Sequence, residues 1–259
     1  MNHNINPTLK EALQGNYRFN FENYISRGFD ITGRFSGGFM GFSFLIFLIS
    51  IVLGLIPLIG EYVNNLFVFP ILSVGYYIVA KNISLNLGFH FDQFFEGFQD
   101  FGNLIIVTLI PIAISYVIDL VFGYNTNFLG VSFFDNLFTL DPAVILASLS
   151  IGILLTSIPI IYLTVAWSFA PHFVVFYKMP AWEAMETSRK LIHKKWFSFF
   201  GFMIVQGLIV MLGFLLICIG VLYFAPAAAN ASYAAFEDIT KFYEENKDDD
   251  ILDHLVEKF

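Results

Sequence analysis

PAWEAMETSRKLIHKKWFSFFGFMIVQGLIVMLGFLLICIG, residues 180–220, decides how the rest of the chain is read. Its first part is short, amphipathic and basic. From Phe197 onward it is an apolar run that carries one amide, Gln206, and no charge. On a helical wheel Ala181, Ala184, Met185, Ser188, Leu191, Ile192 and Trp196 share one side, while Glu183, Glu186, Lys190, His193 and Lys194 fall opposite. A helix of this kind is expected to lie at the membrane–water boundary, with its apolar face in the acyl region and its cations toward the headgroups. Trp182, Arg189, Lys190, Lys194, Lys195 and Trp196 are therefore the candidate contacts for anionic lipid headgroups or for a membrane-protein partner.

The composition fits a lipid-solvated chain. Hydrophobic residues make up 57% and charged residues 13%, against roughly 45–50% and 25% in soluble domains. The mean hydropathy is +0.71, and 33 of the 259 residues are Phe. Too few charges exist to clothe a soluble exterior. The net charge of −8 is uneven, because the chain from Glu237 onward holds nine acidic residues and three basic ones. Cys218, the single cysteine, excludes an intrachain disulfide. The first 38 residues have no charged-then-apolar leader, so the first span is expected to direct insertion itself.

Working outward from 180–220, the expected class is an all-α polytopic membrane protein with six spans and three interfacial helices. A polar segment, 1–16, is expected to be poorly ordered; a membrane domain, 17–240, follows; and an acidic tail, 241–259, closes the chain. The spans are read at about 41–59, 62–81, 103–122, 143–169, 197–217 and 221–239, the last being the weakest because Asn230 and Ser232 interrupt it. Pro70, Pro111, Pro159 and Pro226 fall within spans as expected kinks. The other two interfacial helices are expected near 17–35 and at FHFDQFFEGFQDFG, residues 89–102, where Phe91, Phe94, Phe95, Phe98 and Phe101 face one way. Gly33, Gly37 and Gly41 repeat at four, the spacing that lets helices approach closely.

Three units share a plan of surface helix, span, turn and Pro-bearing span. Pro70 and Tyr77 are seven apart, as are Pro226 and Tyr233, with Pro159 and Trp167 as a looser third copy. With six spans and the N-terminus inside, all 13 Lys and Arg fall on the inner side and none in the outer turns. The positive-inside bias then places both termini in the cytoplasm.

Little in the sequence points to chemistry. No GxxxxGK[ST] loop, GxSxG elbow, CxxC, HxxxH or HExxH is present, so neither a catalytic residue, a cofactor, a metal site nor nucleic acid is expected. Asp119, Ser115, Ser157 and Gln206 are the polar residues within spans that a transport pathway would use.

The text APHFVVFYKMPAWEAMETSRKLIHKKWFSFFGF, followed by CIG, AP and SYAAFED, resembles a broad group of uncharacterised bacterial inner-membrane proteins. These include YciC-type membrane proteins and proteins similar to the membrane domain of glycerophosphodiester phosphodiesterases. FDQFFEGFQDFGNLI is similar to that group's earlier connector. The resemblance implies a six-span helical fold with a cytoplasmic motif helix and no established activity. The phosphodiesterase relatives carry their chemistry in a soluble barrel that this sequence does not contain, so hydrolysis is not carried over. Two functions are open: a non-enzymatic scaffold, accessory subunit or lipid-interacting module, with a membrane-protein partner or as a homo-oligomer, and a small transporter with a pathway between Pro-kinked spans.

Overall fold

In lipid each backbone polar group must find its partner within the chain, and among the described residues all regular structure is helical. The computed structural model describes residues 7–57, 59–122, 151–216 and 220–243. The expected loop 123–142, the start of the fourth expected span, Cys218 and the tail from 244 lie outside them. The helices are α1 (Pro7–Leu13), α2 (Phe21–Arg34), α3 (Ser36–Gly54), α4 (Gly60–Val63), α5 (Phe69–Ser84), α6 (Phe101–Phe122), α7 (Ile151–Ala166), α8 (Ala170–Tyr177), α9 (Ala181–His193), α10 (Trp196–Leu215) and α11 (Val221–Thr240). A π-helical turn, Asn64–Val68, joins α4 to α5, and a 3-10 helix, Phe91–Asp100, runs directly into α6.

Five stretches are long and apolar enough to cross a membrane: Ser36–Gly54, Gly60–Ser84, Phe91–Ile118, Ser157–Tyr177 and Trp196–Leu215. That is the make-up of a membrane protein. Helix α11 is not among the five, yet it buries more residues than any other described helix. Ala227, Ala231, Tyr233, Ala234, Ala235 and Phe236 are all buried, and α2, α3, α5 and α10 pack around it. A helix covered by protein needs no lipid-compatible face, so alanine and asparagine take the place of leucine.

One crossing at backbone distance joins α2 to α11. A Cβ added to Gly28 would stand 2.6 Å from the Ala227 carbonyl oxygen and 2.7 Å from the Ala231 side chain. A second backbone-distance contact lies between α5 and the 3-10 helix, where a Cβ on Gly75 would be 2.2 Å from the Phe94 carbonyl and one on Gly97 would be 2.6 Å from the Ile71 carbonyl. These glycines, rather than the expected ladder of Gly33, Gly37 and Gly41, make the close approaches. A Cβ at Gly37 meets nothing within 4 Å, and at Gly33 and Gly41 the nearest atoms are 3.9 Å away.

Several expectations change with the coordinates. The N-terminal segment is not wholly loose, because α1 buries Leu9 and Ala12 against α11 and α9. Residues 91–100 are 3-10 rather than α-helical, so their phenylalanines do not share one face. Phe94 is fully buried while Phe91, Phe95 and Phe98 remain exposed. Pro70 lies inside the stretch Gly60–Ser84, and the irregularity that accompanies it is the π-helical turn just before, Asn64–Val68. The fourth span is broken at Trp167–Phe169 and continues as α8 to Tyr177. Pro111, Pro159 and Pro226 do lie inside helices, as read from the sequence.

The expected face of α9 is recovered in six of its seven residues, the seventh, Trp196, opening α10 instead. Ala181, Ala184, Met185, Ser188, Leu191 and Ile192 are its buried positions. They face α6, α7, α8 and α1, however, and not the acyl region. The helix is held to the body of the protein by the surface that was expected to touch lipid.

A ring cluster fills the space between α3, α5 and the 3-10 helix. Phe42 stacks on Phe94 at 4.3 Å, and Phe39 and Tyr76 meet Phe94 edge-on at 5.4 and 6.2 Å. Such pairs contribute about 0.5–1.5 kcal/mol each beyond the area they bury. Within the cluster the Tyr76 and Ser43 hydroxyls hydrogen-bond at 2.9 Å. We expect Gly28→Leu to cost about 3 kcal/mol through overpacking at the α2–α11 crossing. Gly37→Leu, placed in open space, should change stability by less than about 0.5 kcal/mol. Thermal unfolding in detergent reads the difference, and equal melting temperatures would show that the crossing is not the tight point.

Candidate functional site

The largest concentration of buried polar chemistry lies where α2, α5 and α11 meet at the end that carries the cations. Arg27 on α2 reaches Glu237 on α11 as a hydrogen-bonded ion pair, with the Glu237 side chain 4% exposed and that of Arg27 32%. Ser84, the last residue of α5, donates to both carboxylate oxygens at 2.8 and 3.0 Å and accepts from Arg27 Nη2 at 3.1 Å. Three helices are thus tied through one carboxylate. One residue further, the Tyr24 hydroxyl donates to Asp238 at 2.7 Å. Burial and the Asp238 carboxylate push the Tyr24 phenol well above its usual range, so it stays a donor at any physiological pH. The buried Tyr233 hydroxyl faces Glu237 and Ser84 without reaching hydrogen-bond geometry.

Beside this network α8 carries a fully buried histidine. His172 is stacked between Tyr77 at 4.0 Å and Phe236 at 5.0 Å, with Phe169 edge-on at 5.3 Å, and neither ring nitrogen has a hydrogen-bond partner. Asn230 donates to Thr32 Oγ1 at 2.8 Å, while its own Oδ1 is buried without a partner. These two positions carry most of the unsatisfied polar chemistry in the core.

Ser188, in the middle of α9, has a role that no sequence pattern announced. Its hydroxyl donates to the Ala166 carbonyl at 2.7 Å and accepts from the Phe169 N–H at 3.2 Å. It therefore satisfies the backbone groups freed where α7 breaks before α8. Asn103, in the first turns of α6, accepts from the Ala181 N–H at 3.3 Å, and Lys178 pairs with Asp100 at 2.7 Å, so the start of α9 is pinned to the start of α6. The only signal for these roles was a hydroxyl and an amide standing inside otherwise apolar faces.

The candidate contact residues on and beside α9 divide into two groups. Arg189 is held by Glu186 in a two-pronged contact at 2.8 and 2.7 Å, and that hydrogen bond keeps the Glu186 carboxyl below the usual carboxylate range. Lys195 donates to the Tyr17 carbonyl and lies 4.6 Å over the Tyr17 ring, whose hydroxyl in turn donates to Leu191 O at 3.0 Å. Trp196 donates to the Tyr162 carbonyl at 3.3 Å and stacks on Phe200 at 5.0 Å. These three are internal struts. Trp182, 67% exposed, and the exposed Lys190 and Lys194 are the ones turned outward.

The pathway candidates are distributed over different helices. Gln206 on α10 donates to Ala228 O at 2.8 Å and to Ser232 at 2.9 Å, tying α10 to α11. Ser115 on α6 donates to Ile112 O of its own helix at 2.9 Å. Ser157 lies on α7, and the Asp119 side chain lies outside the described residues. A cavity of about 340 Å³ opens at the opposite end of the molecule, lined by Ser50, Gly54, Ile56, Pro57, Glu61 and Asn64, and includes none of the four. Among the described residues no three His, Cys, Asp or Glu side chains converge as metal ligands would.

Fold and site together define an all-helical, lipid-compatible chain whose polar contacts join helix to helix. No family model, no curated protein and no solved structure matches this sequence.

Glu237 is buried against a single cation, so removing either partner strands the other charge. We expect Arg27→Met to lower stability by about 3 kcal/mol, and the double change Arg27→Met with Glu237→Met to restore most of it. Unfolding of the three variants in detergent checks this, and additive losses in the double variant would refute the coupling.

Proposed function

We propose that this chain is a non-enzymatic integral membrane protein, a scaffold, accessory subunit or lipid-interacting module, of the type suggested by the resemblance of residues 170–238. The observation that carries the reading is the use of its interior. Phe39, Phe42, Phe94, Phe169, Phe173, Phe199, Phe202 and Phe236 are fully buried there. Polar groups among them such as Gln206, Ser188 and Ser43 are spent on holding helices together. A packed interior stitched in this way suits a body that presents surfaces to its surroundings.

We further propose six crossings with both termini on the cytoplasmic side of a bacterial inner membrane. Support comes from α11, whose 20 residues reach about 30 Å. It runs antiparallel to α10, since Gly213 adjoins Val221 while Gln206 bonds Ala228 and Ser232. The absence of Lys and Arg from the sequence of the three expected outer turns supports the orientation.

A threefold repeat is part of the same proposal. Each surface helix meets the returning helix of the preceding unit at one small or hydroxyl residue: Gly28 at the Ala227 carbonyl, Gly97 at the Ile71 carbonyl and Ser188 at the Ala166 carbonyl. The first unit thereby closes on the third. In this register Gly75, Ala170 and Ala231 stand four residues on, and Tyr77, His172 and Tyr233 six residues on. The returning helices are followed by Asn86, Lys178 and Lys241, the three non-glycine residues with positive φ among those described. Val165, not Pro159, then takes the place of Pro70 and Pro226.

The topology is tested by a reporter fused after Phe259, with single cysteines at Ile56 and Lys178 in a Cys218→Ser background. The expected result is a cytoplasmic reporter, an Ile56→Cys variant labelled from outside intact cells, and a Lys178→Cys variant labelled only after permeabilisation. A reporter active only in the periplasm would refute six crossings. The functional reading is tested with purified protein in liposomes and by crosslinking in native membranes. A solute flux abolished by Gln206→Leu would overturn it in favour of transport; a stoichiometric membrane-protein or lipid neighbour with no flux would support it.

A further inference from the structure

We propose that Lys190 and Lys194, with Phe197 beyond them, hold the phosphodiester headgroup of an anionic bilayer phospholipid. The inference rests on the reading above that the chain crosses a bilayer with α9 at its inner boundary. It goes beyond that reading by naming the ligand class and the residues that select it.

Residues 181–195 carry four Lys or Arg against two Glu, so α9 and the turn after it are net cationic. The structure sorts these charges. Arg189 spends its guanidinium on Glu186, and Lys195 spends its ammonium on the Tyr17 carbonyl and ring. Lys190 has only a 3.5 Å contact to the same Glu186, which Arg189 already occupies. Lys194 has no ion-pair partner among the described residues, its stem lying against Gly15. Lys190 and Lys194 are four apart, so their side chains stand one above the other on a single face. Both are exposed, as is His193 between them, whose Nδ1 lies 3.1 Å from the Tyr162 hydroxyl.

Just beyond Lys194 the chain enters the crossing helix α10. Its second residue, Phe197, is 82% exposed, more than any other large apolar side chain in the described protein. Two exposed cations followed, three residues beyond Lys194, by an exposed phenyl ring at the start of a crossing helix match a lipid in section: phosphate for the ammonium groups, acyl chain for the ring. A soluble anion would make no use of Phe197. The buried face of α9, committed to protein, leaves this outward face as the one that meets the bilayer.

Comparison among the three surface helices sharpens the assignment. Where Ser188 matches Gly28 and Gly97, Lys190 and Lys194 match Asp30 and Arg34 on α2, and Gln99 and Asn103 on the second unit. Asp30 and Arg34 neutralise each other at 3.0 Å. Asn103 is engaged with the α9 backbone. Only the third unit carries two cations at these positions with no acid between them.

The test uses the full chain in nanodiscs of phosphatidylcholine with a minor fraction of phosphatidylglycerol, the ratio of lipids retained by the protein being read by native mass spectrometry. Wild-type protein should enrich phosphatidylglycerol, and each of K190Q and K194Q should lower that enrichment about fivefold at low salt. The double variant K190R/K194R should retain it, as should K10Q/R18Q, which removes two exposed cations elsewhere on the same end. Retention of its thermal midpoint by K190Q/K194Q separates loss of the site from loss of the fold. No enrichment by the wild type, enrichment that survives K190Q/K194Q, or an equal loss in K10Q/R18Q would overturn the proposal. Stripping of the lipid by soluble glycerol phosphate would overturn it in favour of a free-anion site. A chain that alkaline washing extracts from membranes would refute the bilayer reading first and the site with it.

Discussion

The architecture depends on the approach of α2 to α11 at backbone distance. Gly28 lies where any side chain would strike the Ala227 carbonyl, and that proximity has consequences along both helices. It lets a surface helix cover a long face of α11, so α11 is freed from the need to be oily and becomes rich in alanine. It also fixes the offset between the two helices. Arg27 then falls on Glu237, Tyr24 on Asp238 and Asn230 on Thr32. A buried ion pair of this sort contributes little net stability against a well-packed apolar pair, but it penalises any other offset heavily. The glycine sets the distance and the charges set the register.

In a bilayer, lipid tails compete with side chains for apolar contact, so burial of leucine or phenylalanine gives helices little reason to associate. Dense packing and short polar stitches must serve instead, and this chain uses both. The phenylalanines divide accordingly. Those at 39, 42, 94 and 202 are locked in edge-on and stacked clusters, while those at 44, 47, 197 and 214 face outward. The stitches are single hydroxyls or amides, each serving a defined backbone gap or helix pair. Ser188 closes the break before α8, Gln206 joins α10 to α11, and Ser43 meets Tyr76.

What could be read from the sequence was what periodicity and composition control. The buried face of α9 was legible because six residues at helical spacing have only one way to point, and the apolar runs were legible because lipid tolerates few alternatives. What covers a face is not written in its spacing. The same stripe on α9 suits acyl chains or protein, and only the arrival of α6, α7 and α8 decides between them. Helix α11 was underrated for the converse reason. Asn230 and Ser232 weaken a lipid-facing span but suit one enclosed by protein, where their partners, Thr32 and Gln206, come from elements distant in sequence. Gly28 shares a helical face with Tyr24, Ile31 and Phe35 in the sequence, yet the close approach was expected at the regular Gly33, Gly37 and Gly41, because spacing identifies a groove without saying whether anything enters it.

His172 tests how far packing alone accounts for the centre. A phenyl ring would fill the space between Tyr77 and Phe236 about as well and would leave no nitrogen unsatisfied, whereas the imidazole gives up its water without compensation. Volume and hydrophobicity therefore do not select histidine at this position. On the repeat proposed above, its counterparts are Tyr77 and Tyr233, so each unit sends a polar aromatic residue to the same depth. The polar atoms of His172 and Tyr233 are buried without hydrogen-bond partners, so core stability alone does not select either residue. The protein's exposed surface contrasts with the core: there the charges left unneutralised on α9 cost almost nothing in water and are available to whatever lies alongside.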